Sequence, residues 1–362
     1  MKVIKNAMLP SGLRRDIVIN DGVIEDIVKD YDGHGDVIYV EEGTYVSPGW
    51  IDMHTHTFPK FPPYCAHPDE IGYMHGVTTV VDAGSSGADD IDEFYTLAKQ
   101  CKTNVLAFLN ISRIGLKRMD ELSRIDDISI DEARKAIDRY EHFIVGLKAR
   151  MSQSVIGESG IAPLKLGKEL SEKTSLPLMV HIGNAPPTLD EMLPYLKKGD
   201  IITHCFHAKH QNNIFHEQIL DAMLVAIKKG VYLDVGHGTA SFSFQIAKVA
   251  KRKNLPFHSI STDIYEKNKE EGPVYNMATT LTKFLALGYS LEEVIRAVTE
   301  VPAEILKLHR RGRCSPGAIA DFTFFSIDDE EIALKDSEGY IQHHREQIKV
   351  NAVMLGGEYI EL

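Results

Sequence analysis

The alternation of short apolar runs with amphipathic helical segments between residues 49 and 308 limits the fold of this chain more than any other feature. Several runs are β-branched and almost continuous in apolar residues, as expected for strands buried on both faces. The predicted strands are Trp50–Met53, Thr78–Val81, Val105–Leu109, Phe143–Leu147, Leu178–Val180, Ile201–Thr203, Val231–Asp234 and His258–Ser261. The predicted helices are Ile91–Lys99, Asp131–Tyr140, Ile161–Thr174, Phe215–Lys229, Phe242–Lys253 and Met277–Leu287.

This pattern predicts an α/β fold in which residues 49–308 form a (β/α)8 TIM barrel. Eight strands, each followed by a helix or a long loop, over roughly 250 residues match the size of that fold. A doubly wound open sheet is the structural alternative, but no G-x-G-x-x-G follows the first strand to support it.

The two ends of the chain, residues 1–48 and 309–362, have the composition of short strands. Asn20-Asp21-Gly22 separates two β-branched runs and predicts a hairpin turn, and Gly356-Gly357 predicts another near the C-terminus. Neither end is long enough to build a core of its own. We therefore predict that both ends pack together as one small β domain beside the barrel.

Composition and charge exclude several classes of partner. Apolar residues make up 43% of the 362 residues, and no run of about 18 uncharged apolar residues exists, so no membrane span is predicted. The net charge of −12 argues against nucleic acid and anionic membranes as partners. The four cysteines are scattered, as free thiols in a reducing compartment would be. We expect a cytoplasmic homo-oligomer that acts on a small-molecule substrate.

Ligand-type residues stand where five of the predicted strands end. In a barrel of this kind, the chemistry lies at the carboxyl-terminal ends of the strands. The residues at these ends are His54, His56, Lys148, His181, His204 and Asp263. Each alone could be structural, because a strand-end histidine is often a hydrogen-bonded core residue and an aspartate often caps the next helix. Their coincidence predicts a metal site. His207 is an alternative to His204, which we favour because it directly ends its apolar run.

The order H-x-H, Lys, His, His, Asp on strands one, four, five, six and eight resembles the amidohydrolase superfamily. It is most similar to the dihydroorotase-like and adenine-deaminase-like branch, in which the lysine is carboxylated and bridges two metal ions. Further phrases that resemble this branch are Gly76–Gly84, Gly236-His237-Gly238 and Ser241-Phe242-Ser243-Phe244. The segment Ser315–Asp321 resembles the family's usual return into a small β-sandwich built from both chain termini. The resemblance thus implies that residues 1–48 and 309–362 form such a sandwich.

The resemblance also implies a ligand set and a mechanism. A lysine ammonium cannot bind a cation, but a carbamate on Lys148 is an anionic ligand that can join two metals. His54, His56 and Asp263 would hold the more buried ion, and His181 and His204 the more exposed one. Water that bridges two divalent ions is hydroxide near neutral pH and would attack a carbonyl polarised by the exposed ion. Asp263 would move the proton to the leaving group. Mixed nitrogen and oxygen ligands suit Zn2+ best, with Mn2+, Fe2+ or Co2+ possible.

Four residues are candidate substrate contacts, and each has a structural alternative. His237, in a glycine-flanked loop, contacts substrate or orients its loop. His67 follows strand one, and Arg113 and Arg150 follow strands three and four, where an arginine could bind a substrate carboxylate or form a surface ion pair. Tyr64 is expected to pack its loop. Histidines without a strand-end placement are expected at the surface: His75, His210, His216, His343 and His344.

The expected reaction is hydrolysis of a small amide, cyclic amide or ester by a binuclear metal enzyme. The main alternative is a deaminase of adenine or another purine, and the second is a non-catalytic homologue. Relatives that deaminate with one metal usually lack the strand-four lysine and keep an acid near the strand-five histidine. Lys148 is present here, and the segment 182–185 after His181 contains no acid, which favours hydrolysis.

Overall fold

A computed structural model of the chain describes residues 1–215 and 217–362, so His216, predicted at the surface, lies outside the described residues. The strands are β1 Lys2–Met8, β2 Arg14–Asn20, β3 Val23–Val28, β4 Asp36–Tyr39, β5 Tyr45–Pro48, β6 Trp50–Thr55, β7 Val77–Ala83, β8 Asn104–Asn110, β9 Ile144–Met151, β10 Leu178–Ile182, β11 Ile201–Thr203, β12 Tyr232–Asp234, β13 Phe322–Lys335, β14 Ile341–Leu355 and β15 Glu358–Glu361. The α-helices are α1 Pro68–Ile71, α2 Ile91–Ala98, α3 Ile130–Arg139, α4 Gln153–Ile156, α5 Ala162–Thr174, α6 Leu189–Met192, α7 Glu217–Lys228, α8 Phe244–Arg252, α9 Glu266–Glu270, α10 Met277–Ala286, α11 Leu291–Arg296 and α12 Glu300–Ile305. Short 3-10 helices are Tyr73–His75, Gly115–Lys117, Ile125–Asp127, Gly157–Ser159 and Leu193–Tyr195.

The central element is a curled parallel sheet of seven strands in the order β6 to β12. The segment that follows, residues 259–264, joins both edges of this sheet through single parallel bridges, Asp234 with Ser259 and Thr55 with Ile264. The strands and the helices around them form a mixed α/β fold consistent with a TIM-barrel-like domain, as predicted. The eighth predicted strand, His258–Ser261, differs from the expectation because a single isolated bridge, at Ser259, forms within it. Ser259 and Ser261 instead turn their hydroxyls to Asp234.

Apolar residues fill the inside of the curled sheet below the site. Ile51, Met53, Phe108 and Met179 are fully buried in one cluster, which also includes residues of α12. Above this packed floor, His54, His56 and Asp263 gather at the strand ends. The site therefore lies at the carboxyl-terminal edge, as this fold requires.

Both chain ends contribute to a second, mixed sheet in the order β15-β14-β13-β5-β1-β2-β3, with β4 paired to β1. The two predicted hairpin turns are confirmed, since β2 pairs antiparallel with β3 and β14 with β15. This sheet has a small core of its own, to which Ile4, Ile17, Val46, Phe322, Phe324 and Met354 belong. The strand pairings define one sheet, and the two packed layers of a β-sandwich stay a prediction.

The long hairpin of β13 and β14 connects the second sheet to the site. Its base belongs to the second sheet, and its far half packs on α10, where Ile348 donates its backbone N–H to Thr282 Oγ1 at 3.1 Å. Its turn, residues 336–340, reaches the loop 236–244 that follows β12. Ser337 there accepts backbone N–H groups from Ser241 and Phe242, each at 3.2 Å. A segment nearly 100 residues away in sequence thus holds a loop beside the site.

No helix of the described ranges is both long and apolar enough to cross a bilayer.

Candidate metal centre

Three ligand-type side chains meet at the end of β6. His54 and His56 point the same way because they are two residues apart on an extended strand. Asp263, from the segment that closes the sheet, lies between them: its Oδ1 is 3.4 Å from His54 Nε2 and 3.2 Å from His56 Nε2. One ligand atom from each of the three residues lies within 4.8 Å of the others. Two imidazole nitrogens and a carboxylate oxygen at this spacing suit a divalent ion such as Zn2+.

Lys148 on β9 adds a buried amine to this group. Its side chain is only 1% exposed, and its Nζ lies 3.0 Å from His54 Nε2 and 3.3 Å from Met179 Sδ. Within the described chain, no carboxylate lies close enough to form an ion pair with it. Burial lowers its pKa from 10.5 to about 7, against a smaller opposite effect of the nearby aspartates. The lowered pKa makes a neutral amine available at this position near neutral pH.

His181 at the end of β10 and His204 after β11 complete the cluster. The two rings lie 4.3 Å apart between centroids, and the His204 ring lies 5.0 Å from that of His54. His204 has a backbone φ of +70°, a strained conformation for a residue other than glycine. In this strained conformation, the ring of His204 faces the rings of His54 and His181.

The imidazole of His204 offers a free nitrogen. Its Nδ1 lies 2.7 Å from the carbonyl oxygen of Gly236, which only accepts, so Nδ1 carries the proton and Nε2 keeps a lone pair. Nε2 is buried and has no hydrogen-bond partner in the part of the chain that the structure describes. Because a buried polar atom is rarely left unpaired, this nitrogen fits a metal ligand. Burial lowers the pKa of His54, His181 and His204 well below the usual value, which keeps these rings in the neutral, ligating form.

The sequence left His204 and His207 open as ligands. His207 also has a buried Nε2 without a partner among the described residues, and its Nδ1 accepts the backbone N–H of Lys209 at 3.1 Å. Among the ring contacts of the described residues, however, His207 packs against none of the other histidines, whereas His204 packs against two. The geometry therefore favours His204.

Hydrogen bonds fix the rings of His54 and His56 with Nε2 toward the centre. His54 Nδ1 lies 2.9 Å from Thr203 Oγ1, which donates its own proton to Asp234 at 2.7 Å, so the histidine Nδ1 must be the donor. His56 Nδ1 lies 2.7 Å from Ser85 Oγ. Such partners set the tautomer and the orientation of a metal-binding histidine.

The Gly236-His237-Gly238 phrase has a structural explanation. Both glycines have positive φ, and a Cβ on Gly236 would lie 2.3 Å from Thr203 Oγ1, while one on Gly238 would lie 2.4 Å from Asp263 Oδ2. No larger residue fits at either position. His237 between them is fully buried, stacks on Phe242 and hydrogen-bonds Lys283. It therefore orients the loop and is not among the described residues that line the pocket, so of its two predicted roles the structure favours the loop-orienting one.

Two other predicted substrate contacts also lie elsewhere. Arg113 is 47% exposed and pairs with Asp89 at 2.9 Å, because the chain after β8 turns to the surface. His67 accepts the backbone N–H of Asp69 at 3.2 Å and caps α1. Arg150 alone of the four lines the pocket above the cluster. Tyr64, expected to pack its loop, also lines it, with its ring 5.5 Å from that of His56.

The pocket above the cluster is small, with a volume of about 150 Å³. Its wall consists of His54, His56, Tyr64, Lys148, Arg150, His181, Lys209, Thr239, Ala240, Ser241, Asp263 and Tyr265. Sequence reasoning missed Lys209, Thr239 and Tyr265. Thr239 and Tyr265 share a hydrogen bond of 2.7 Å across the mouth. The only signal in the sequence was their position in the loops after strands six, seven and eight, which does not say which loop side chains face inward.

The curled parallel sheet with ligand-type residues at its carboxyl-terminal edge defines a class of hydrolases. Residues 45–360 match the amidohydrolase family, and the chain belongs to this family, which makes it a hydrolase that acts on C–N bonds. The family generally uses divalent metal ions, in agreement with the group formed by His54, His56 and Asp263.

Similar proteins carry three different names. A protein of Enterococcus faecalis named deacetylase is 45% identical over 361 residues, which cover 98% of this chain and 98% of that protein. A crystal structure described as an adenine deaminase is 44% identical with a TM-score of 0.97, and the match covers 100% of this chain and 99% of that one. A crystal structure described as a dihydroorotase is 33% identical with a TM-score of 0.91, over 99% and 97% of the two chains. Similarity alone therefore does not select the reaction.

Proposed function

We propose that this protein is a binuclear metal-dependent hydrolase that cleaves a small amide, cyclic amide or ester, with removal of an acyl group as the leading reaction. One observation carries the proposal. The buried, unpartnered Nε2 of His204 and the buried amine of Lys148, which has no ion-pair partner among the described residues, converge with a His-His-Asp group at one strand edge. Six ligand-type residues exceed what one tetrahedral ion uses.

The residues divide into two sets around Lys148. His54, His56 and Asp263 would hold one ion, His181 and His204 the other, and a carbamate on Lys148 would join them. The carbamate would form when the neutral amine of Lys148 attacks carbon dioxide: an N–C bond forms, one C=O π bond opens to a C–O⁻, and one amine proton passes to water. When bound, the ions supply a water of lowered pKa and polarise the substrate carbonyl.

Asp263 is the residue that would move the proton. Its carboxylate is 15% exposed and faces the pocket, whereas burial lowers the pKa of the neighbouring His54 and keeps that ring neutral. It would accept the proton of the attacking water and deliver it to the leaving nitrogen or oxygen, as a general acid/base does. Because Gly238 has no Cβ, it leaves the space that Asp263 Oδ2 occupies.

The lining of the pocket favours hydrolysis of an acyl group over purine deamination. Asp263 is the only carboxylate among the described residues that line the pocket, so no second carboxylic acid stands there to protonate a ring nitrogen. Arg150 is paired with Glu121, but Lys209 brings a cationic side chain without an ion-pair partner among the described residues, which suits a substrate with a negatively charged group better than a neutral purine. The 45% identical relative named deacetylase supports the same reaction. The 44% identical structure described as an adenine deaminase supports deamination, which is the second candidate.

A direct competition tests the reaction class. The metal-loaded protein is assayed with adenine, N-acyl amino acids, acylated hydroxy acids, hydantoins and dihydroorotate, and kcat/KM is compared. We expect an acylated acid to be the best substrate. Adenine as the best substrate, with ammonia released at a kcat/KM above about 10⁴ M⁻¹s⁻¹, would establish the deaminase instead. Metal analysis after growth with zinc and bicarbonate should approach two ions per chain, and one ion at full occupancy would contradict the binuclear site.

The role of Asp263 is tested by Asp263→Asn. We expect kcat to fall by about 10²–10⁴-fold, because the amide cannot accept the proton. Glu271→Gln is the matched control, since Glu271 is an exposed acid at the end of the neighbouring helix α9. Metal content is measured for both variants. A kcat close to that of the wild type at full metal occupancy would remove Asp263 from proton transfer.

A further inference from the structure

We propose that Lys209 binds a carboxylate of the substrate, so that the pocket selects acylated amino or hydroxy acids over neutral amides and esters. This inference rests on the proposed function and specifies its substrate class. Lys209 lies in the connection after β11, five residues beyond His204, and it lines the same pocket as His181 and Asp263. It is thus a cation on the wall of the site that belongs to no metal-ligand set.

The charge of Lys209 has no partner within the described chain. None of the ion pairs or side-chain hydrogen bonds of the described residues involves its Nζ, although the side chain is half-buried. The carboxylates that act on it, Asp263 and Glu338, lie beyond ion-pair distance, and burial lowers its pKa more than they raise it. A half-buried ammonium without a partner is unfavourable, and an anionic ligand would remove that cost.

Arg150, the other cation of the pocket, is already neutralised. Its Nε and Nη2 each donate to Glu121 at 2.7 Å, and Nη2 also donates to the carbonyl of Met119 at 2.8 Å. Glu121 is fully buried, so this pair is fixed inside the protein and not shared with solvent. Arg150 therefore shapes the wall with a balanced charge, and Lys209 is the cation that remains available for a ligand.

The size of the pocket limits the rest of the substrate. A volume of about 150 Å³ admits a short acyl group and a short acid, with the carbonyl at the histidine cluster and the carboxylate toward Lys209. Ser241 and Thr239 on the same wall can donate hydroxyl hydrogen bonds to that carboxylate. A large neutral substrate would leave the ammonium buried and unpaired.

Two ligands that cannot be hydrolysed test the inference by calorimetry on the metal-loaded protein. Levulinate is the ketone analogue of an N-acetylated amino acid, and levulinamide has nearly the same size and shape with an uncharged amide in place of the carboxylate. We expect the wild type to prefer levulinate by at least about tenfold, because a hydrogen bond between two charged groups is stronger than one to a neutral group. Lys209→Met should remove that preference and leave the affinity for levulinamide within about threefold. Lys209→Arg should keep it.

Lys267→Met is the matched control, because Lys267 is exposed on α9 and should not affect either affinity. A preference for levulinate that survives Lys209→Met, or no binding of levulinate to the wild type, would overturn the role of Lys209. If acylated acids are not hydrolysed but the preference depends on Lys209, the proposed reaction fails and the carboxylate site stands. If they are hydrolysed equally well by Lys209→Met, the carboxylate site fails and the reaction stands.

Discussion

Lys283, which contacts His237 in the loop after β12, provides a test of whether a buried lysine of this protein is neutral. It lies on α10, is fully buried, and donates to His237 Nε2 and to the carbonyl of Pro273, each at 2.7 Å. His237 Nδ1 lies 2.9 Å from the Gly238 carbonyl, so Nδ1 carries the ring proton and Nε2 accepts. A neutral amine has two hydrogens, which these two acceptors use. Burial lowers the pKa of Lys283 from 10.5 to about 7.

This pKa makes the stability of the protein depend on pH in a defined direction. Between about pH 7 and 10.5 the unfolded chain binds a proton at Lys283 and the folded chain does not, so stability rises as pH rises. Each pH unit is worth about 1.4 kcal/mol where the difference is complete, which gives about 2 kcal/mol between pH 7 and 9. At the usual unfolding entropy per residue, a chain of 362 residues gains about 3 °C in Tm.

The assay compares Tm of the wild type and of Lys283→Met by calorimetry at one scan rate from pH 7 to 9. The variant loses two hydrogen bonds, so a constant offset is expected, and the test is the change of the difference with pH. We expect the wild type to gain about 3 °C over the variant across this range. Lys228→Met, an exposed lysine on α7, should run parallel to the wild type. Parallel curves for Lys283→Met would refute a neutral buried amine.

Two further substitutions probe the pocket wall. Glu121→Gln leaves the buried charge of Arg150 without its partner, and we expect the free energy of unfolding in denaturant to fall by about 3–5 kcal/mol; a loss below about 1 kcal/mol would contradict a buried ion pair. Ser337→Ala removes an acceptor for two backbone N–H groups of the loop that carries Ser241. We expect KM to rise several-fold with little change in kcat, and unchanged kinetics would show that the hairpin does not position this loop.

The strands could be predicted because their runs of apolar residues have one physical cause. A parallel strand covered on both faces must be apolar along its length, so Leu178–Val180 and Ile201–Thr203 were found within two residues of β10 and β11. The segment His258–Ser261 was less regular because its alternate serines turn inward to a buried carboxylate. The ligand-type residues could then be predicted from the ends of these strands, because this fold places the carboxyl-terminal end of every strand at one edge of the sheet.

Side-chain partners could not be predicted in the same way. His237 and Arg113 both follow a strand, yet one turns inward beneath the loop to Lys283 and the other turns outward to Asp89. The difference depends on which distant residue comes within hydrogen-bond distance, and no local pattern encodes that. Lys209 was missed for the same reason, because a lysine in a loop is ordinarily exposed. Only the folded chain shows that it lines the pocket.

Three buried aspartates interrupt the apolar strands, and their burial has a function that the sequence alone did not reveal. Asp52 accepts backbone N–H groups from His54 and Thr262, so that it ties the first ligand strand to the residue before Asp263. Burial raises its pKa to about 7, which shows how costly the charge is at this position.

Asp82 and Asp234 have similar roles. Asp82 accepts the backbone N–H of Ser85, the residue that contacts His56, and Asp234 accepts the hydroxyl of Thr203, the residue that contacts His54. Apolar residues would remove the cost of burying these carboxylates but would leave those donors unpaired. Their presence on β6, β7 and β12 is explained if the cost is offset by ligands that are already oriented before a metal ion binds. These three aspartates therefore belong to the site, because their hydrogen bonds hold the residues that orient the histidines.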